Sequence, residues 1–142
     1  MEPGEIEDIQ GLITIFFPFA EEMIVKFGKF LPYAGATTSV GEYASVGNIE
    51  KIKDLETTVI VSELKRSLRE GSSKFLVVAL FYEATITNSE TGEKSDAIAV
   101  FVEHKNGSGA YEFFYPYRIE EKDQFVVKDS WGNNVEREIF FN

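Results

Sequence analysis

An α+β fold is what this chain predicts: an N-terminal bent helix or helix pair and a second helix packed on an antiparallel meander sheet of about five to six strands. Three observations carry that expectation. Apolar residues recur every three or four positions between Ile6 and Leu31, and a second stripe of that period lies between Leu55 and Leu68. Beyond Lys74 the period changes to two, and turn-forming residues separate the apolar runs. Helical segments followed by a run of strands give an α+β arrangement, and the reading places the helices on one face of the sheet. The 142 residues carry no linker, repeat or low-complexity tract. Residues 1–142 are therefore expected to form a single domain, since a chain of about 150 residues buries roughly 68–70% of its unfolded surface.

The first stripe is Ile6, Ile9, Ile13 and Phe16, resumed as Met23, Ile24, Phe27 and Leu31. Pro18 lies between the two halves. Proline removes an amide donor and clashes with the preceding turn, so a kink or two helices meeting near Phe17-Pro18 is expected, with Glu21 and Glu22 in a new first turn. The run Ile13–Phe17 also has the β-branched and aromatic character of a short strand, which leaves that alternative open. Gly28 weakens the helix end.

Residues Ala34–Val40 are small and β-branched and are bounded by glycines. They read as a strand that turns at Val40-Gly41-Glu42 into a short hairpin partner over Tyr43–Val46. Asp54 is a good cap for a helix over 55–70, with Leu55, Val59, Leu64 and Leu68 on one face and a stop at Gly71-Ser72-Ser73. Lys74–Thr87 is apolar on both parities, the pattern of a central strand. Asp96–His104 follows a polar turn as a second long strand, and Asn106–Gly109 connects it to a third over Tyr111–Tyr117. Phe125–Lys128 and Glu138–Phe141 are shorter candidates, joined through a turn at Trp131–Asn134.

The order helix–β–β–helix–β–β–β resembles profilin-like and roadblock-like modules. A bent helix before a curved sheet is similar to cone-shaped folds of the nuclear-transport-factor type. Element order does not choose among them, and none carries function.

The 24 acidic side chains outnumber the 14 basic ones, for a net charge of −10. That balance repels phosphate backbones and argues against nucleic acid as a partner. Met1-Glu2-Pro3-Gly4-Glu5 lacks the positive region of a secretory signal, so a cytoplasmic location is expected. The longest apolar stretch, Leu12–Ala20, is too short for a membrane span of about 20 residues. With no cysteine, disulfide, thiolate-metal and cysteine-nucleophile chemistry drop out.

His104 is the only imidazole. A general base needs an orienting carboxylate, but Glu103 points to the opposite face of the same strand and cannot supply it. A surface or turn-bonded role is the expectation for this histidine. Asp96, Glu103 and Glu112 could sit beside it, yet no metal-binding spacing joins them, so neither a metal nor a cofactor is expected. The carboxylate pairs Glu21/Glu22, Glu120/Glu121 and Glu136/Glu138 read as solvated charge. Gly107-Ser-Gly109 lacks the residues of a phosphate-binding loop. More informative is the third long strand, where Tyr111, Phe113, Tyr115 and Tyr117 share one parity. They either complete the core, with Tyr115 and Tyr117 capping its wet edge, or line a groove or partner surface.

Thr91-Gly-Glu-Lys-Ser-Asp-Ala-Ile98, Val102-Glu-His104 and Phe114-Tyr-Pro-Tyr-Arg118 resemble the C-terminal half of a family of small, uncharacterised bacterial proteins with a TGEKTDAI…EH…PYR succession. The segment Phe19–Thr37 is similar as well. The resemblance covers about two thirds of the chain, and its motifs belong to turns and strands. It implies a stand-alone bacterial cytoplasmic domain of no established activity and marks Asp96, His104, Tyr117 and Arg118 for testing.

Two roles follow. The first is a non-enzymatic binding or protein-interaction domain that takes another protein or a second copy of itself, for which an immunity-type protein masking a basic toxin is a concrete form. Its expected site residues are Asp96, His104, Tyr115, Tyr117 and Arg118. The second is a small-ligand or weakly hydrolytic pocket using His104 or a buried carboxylate.

Overall fold

The computed structural model describes residues 1–141. Two helices and a seven-stranded antiparallel sheet make up the α+β fold. The elements are α1 (Pro3–Phe27), β1 (Tyr33–Thr38), β2 (Tyr43–Val46), α2 (Thr57–Glu70), β3 (Phe75–Thr87), β4 (Lys94–His104), β5 (Ala110–Glu120), β6 (Gln124–Val127) and β7 (Trp131–Val135). The sheet runs β2-β1-β3-β4-β5, and the outer edge of β5 is shared: β7 pairs with residues 110–114 and β6 with residues 117–120.

The helices lie on opposite faces of this sheet, not on one. Ile9, Leu12, Ala20 and Ile24 of α1 pack on Val77, Ala79, Phe81, Ile98, Val100 and Val102. Ile60, Leu64 and Leu68 of α2 pack on Ala34, Ala36, Val78, Leu80 and Phe101. Because side chains alternate along a strand, the apolar residues on both parities of β3 and β4 need cover on both sides.

Helix α1 is continuous through Pro18, so neither the helix pair nor the strand over Ile13–Phe17 forms. The reason lies on β1. The Tyr33 hydroxyl donates to the Phe16 carbonyl at 2.7 Å and accepts the Ala20 N–H at 3.2 Å. These are the two groups that an undisturbed helix joins directly, and the phenol bridges them beside the proline. Glu21 and Glu22 therefore sit in the helix interior. The helix ends at Gly28, whose φ of +76° and N–H to the Ile24 carbonyl close the last turn.

Helix α2 begins two residues later than expected. Its N-cap is Glu56, with no side-chain capping bond, and Asp54 lies in the preceding turn. Leu55 and Val59 are consequently exposed, while Ile60 joins Leu64 and Leu68 in the core.

At the C-terminus the expected roles are reversed. Trp131–Val135 is a strand, with Trp131 stacked on Phe114 at 5.5 Å, whereas Glu138–Phe141 is not. The backbone N–H groups of Glu138, Ile139 and Phe140 are taken by the buried carboxylate of Glu103 on β4, at 2.6–3.3 Å. Arg137 completes the clasp by donating to the carbonyls of His104, Lys105, Gly107 and Phe140.

Candidate functional site

The expected site residues separate into three places. His104, at the end of β4, is buried, and its Nε2 meets Asp8 Oδ2 of α1 at 2.8 Å. Its Nδ1 accepts the Asn106 N–H at 3.1 Å, which puts the proton on Nε2 and directs it at the carboxylate. The histidine is turn-bonded as expected but not on the surface, and both ring nitrogens are committed: Nε2 fastens α1 to β4, and Nδ1 holds the turn that follows β4. Its orienting acid comes from a residue 96 positions away.

Tyr115 faces α1 and meets Phe17 edge-on at 5.0 Å; burial raises its phenol pKa. Arg118 alternates to the opposite face, is exposed, and pairs with Glu120 at 2.7 Å. Neither joins the other candidates.

Asp96 and Tyr117 do come together. The β4–β5 register pairs Ala97 with Pro116, so the next step places Asp96 across from Tyr117. Both lie on the α1 face, beyond the point where α1 stops at Gly28. Glu83 of β3 joins them from the diagonal position, since Thr85 is the direct partner of Asp96. With Gly28, Thr57, Ala84 and Thr85 these residues line a polar cleft of about 240 Å³. The Phe30 N–H donates to Glu83 Oε1 at 2.8 Å. Burial raises the Glu83 carboxyl above its ordinary value; that bond opposes the rise, and the charge of Asp96 adds to it. Tyr117, stacked on Phe125, has its phenol pushed up to about 12 by burial and by the charges of Asp96 and Glu83. Glu83 escaped the sequence reading. The signal was a lone acid on the parity of Val77, Ala79 and Phe81, mirrored by Asp96 ahead of Ile98, Val100 and Val102.

A second concavity has no counterpart among the expected residues. Ile15, Phe16, Phe19 and Met23 of α1, Leu31–Ala34, and Ser45–Gly47 at the end of β2 enclose an apolar groove of about 440 Å³, which reaches Ile49 and Leu64. That volume lies in the range of ligand and side-chain pockets. Phe19 is 51% exposed, and Ile15 and Leu31 are similarly open. Tyr33 forms one wall, although its hydroxyl is engaged with α1. The residues of β2 that line the groove belong to an edge strand, whose outer side no described strand pairs with.

Among the described residues no group of three or more His, Asp or Glu side chains is placed to hold a metal ion. No described helix is long and apolar enough to cross a membrane. No family model, curated protein or solved structure matches the chain.

Proposed function

We propose that the protein is a non-enzymatic binding domain that captures an extended, basic segment of another protein on the open edge of β2. The observation that carries this reading is the coincidence of the apolar groove with that edge. An added strand satisfies its backbone on an exposed sheet edge and sends alternate side chains into adjoining pockets. Here Phe19, Ile15 and Leu31 supply apolar anchorage, and exposed aromatic anchors dominate interface energies. The net charge of −10 favours a basic partner and speeds its encounter. The commitment of both His104 nitrogens to Asp8 and Asn106 also supports a binding role over a hydrolytic one.

Selection of displayed random peptides against the purified protein tests the proposal. The expected winners alternate apolar residues and carry lysine or arginine. Their amide-shift map should centre on residues 43–47. Phe19→Asp should weaken them by about thirtyfold, the effect of losing an interface anchor of ~2 kcal/mol. Peptides that bind Phe19→Asp as well as the parent would overturn the reading. A second copy is the competing occupant of the same edge, and a monomer–dimer equilibrium abolished by Phe19→Asp would assign the groove to self-association instead.

A further inference from the structure

The polar cleft beyond the end of α1 is independent of the groove and points to a different ligand. We infer that Glu83, Asp96 and Tyr117 form a binding site for a small organic cation bearing an ammonium or guanidinium group.

Two carboxylates lie on neighbouring strands of one sheet face, and the cleft that they line is bordered by Gly28 at the carboxyl end of α1. The carboxyl end of α1 at Gly28 and the amino end of α2 at Thr57 carry opposite partial charges that offset each other at the cleft, so it is the two carboxylates that favour a cation. The acids alone would be ordinary surface charge, but Tyr117 is different. It is only 9% exposed, its ring is held against Phe125, and it lines the cleft, yet its hydroxyl has no hydrogen-bond partner among the described residues. The buried ring fixes that hydroxyl on the wall of the cleft, where it is open to solvent and so to a ligand.

The donor set favours an organic cation over a metal ion. Calcium takes six to eight oxygens and magnesium a near-ideal octahedron, whereas the cleft offers two carboxylates, one of them already accepting the Phe30 N–H. Ammonium and guanidinium groups instead spend several N–H donors on a few acceptors in charge-assisted bonds. Thr57 and Thr85 add hydroxyls at the rim, and about 240 Å³ accommodates a short aliphatic chain behind the charged head. Lys29 is exposed in the loop after α1, and its charge reaches Glu83. An incoming cation must therefore compete with it, which favours ligands held by Asp96 and Tyr117 as well.

Calorimetry and amide-shift titration of the full chain with agmatine and putrescine at low ionic strength test the site. The expected result is saturable binding with Kd of ~1 mM or tighter. The shifts should centre on residues 83–85, 96 and 117. Asp96→Asn should weaken binding by about tenfold, as loss of a charge-assisted bond does. Tyr117→Phe, which keeps the ring on Phe125, should weaken it by about three- to fivefold. A blocked Gly-Arg-Gly peptide separates the two sources of this chemistry. Preference for agmatine identifies a free small molecule, and preference for the peptide identifies an arginine of a partner chain; either upholds the site. Absence of saturable binding would overturn the proposal. So would binding unchanged by both substitutions, which would place the amine elsewhere on the acidic surface. Calcium or magnesium binding the cleft as tightly as agmatine would overturn it as well.

Discussion

Glu103 on β4 holds Ile139 by its backbone: both carboxylate oxygens accept the Ile139 N–H, at 3.1 and 3.3 Å, and Glu103 has no exposed surface. The same carboxylate takes the N–H groups of Glu138 and Phe140 and lies 3.4 Å from Arg137. Glu103→Ala leaves three N–H groups without their acceptor and Arg137 without its ion-pair partner. The expected cost is about 3–5 kcal/mol, typical of breaking a buried charged cluster. Glu103→Gln keeps one oxygen and should cost about 1–3 kcal/mol. Denaturant unfolding measures both, and proteolysis of residues 136–141 should accelerate in parallel. A cost below about 1 kcal/mol for the alanine variant would show that apolar packing of Ile139 and Phe140 holds this segment unaided.

The repair of α1 at Pro18 is likewise separable by substitution. Tyr33→Phe preserves the ring stacked on Phe81 at 4.7 Å and removes only the hydroxyl that bridges Phe16 and Ala20. Two partly buried backbone groups then lose their partner, at an expected cost of about 1–3 kcal/mol. Hydrogen exchange at Ala20 should quicken while exchange in α2 is unchanged. Equal acceleration in both helices would mean that the hydroxyl serves global stability and not the local ladder.

The strand periodicity was legible because it is a local property: the two apolar parities of β3 and β4 mark both as central strands. What stayed hidden depends on partners far away in sequence. Pro18 disturbs a helix by local rules, and the phenol that bridges the disturbed turn comes from β1. Trp131–Val135 has turn composition yet pairs with the free edge of β5, while the apolar run Ile139–Phe141 looks like a strand but has the N–H groups of Ile139 and Phe140 taken by a side chain. Asp96 and Tyr117 were legible as candidates from their strand positions. Glu83 was not, because its meaning comes from where α1 ends above it. The groove was hidden for a related reason: Ile15 and Phe19 continue the apolar character of α1 onto a side that the sheet does not cover.

At Gly35 the Phe16 ring of α1 lies directly against the backbone of β1. A Cβ built there would lie 2.6 Å from the Phe16 ring, whereas one at Gly4 would meet nothing within 4 Å. Gly35→Ala should therefore cost about 1–3 kcal/mol as an overpacked contact. Gly4→Ala, at an exposed helical position, should gain up to about 1 kcal/mol. Thermal unfolding of the two variants should move in opposite directions. A neutral Gly35→Ala would show that Phe16 swings aside into the neighbouring groove, which a reduced groove volume in that variant's crystal structure would register.

The tyrosines set the alkaline limit of the fold. Burial raises the phenol pKa values of Tyr33, Tyr82, Tyr115 and Tyr117 above the ordinary 10.0, and Glu112, which accepts the Tyr82 hydroxyl, raises that residue further. A group whose folded pKa lies above its unfolded value stabilises the fold fully below the unfolded value and loses that contribution as pH climbs through the folded one. Stability should thus be insensitive to these four phenols below pH ~10 and fall above it, with Tyr117 ionising at about 12 and Tyr33 and Tyr82 later still. Phenolate absorbance followed against pH should show a late group of tyrosines whose ionisation coincides with loss of the far-ultraviolet dichroism. Tyr117→Phe should remove one phenol from that late group and shift the alkaline unfolding midpoint upward, because one fewer buried hydroxyl then favours the unfolded chain at high pH. A midpoint that stays in place would mean that Tyr33, Tyr82 and Tyr115 govern the transition by themselves.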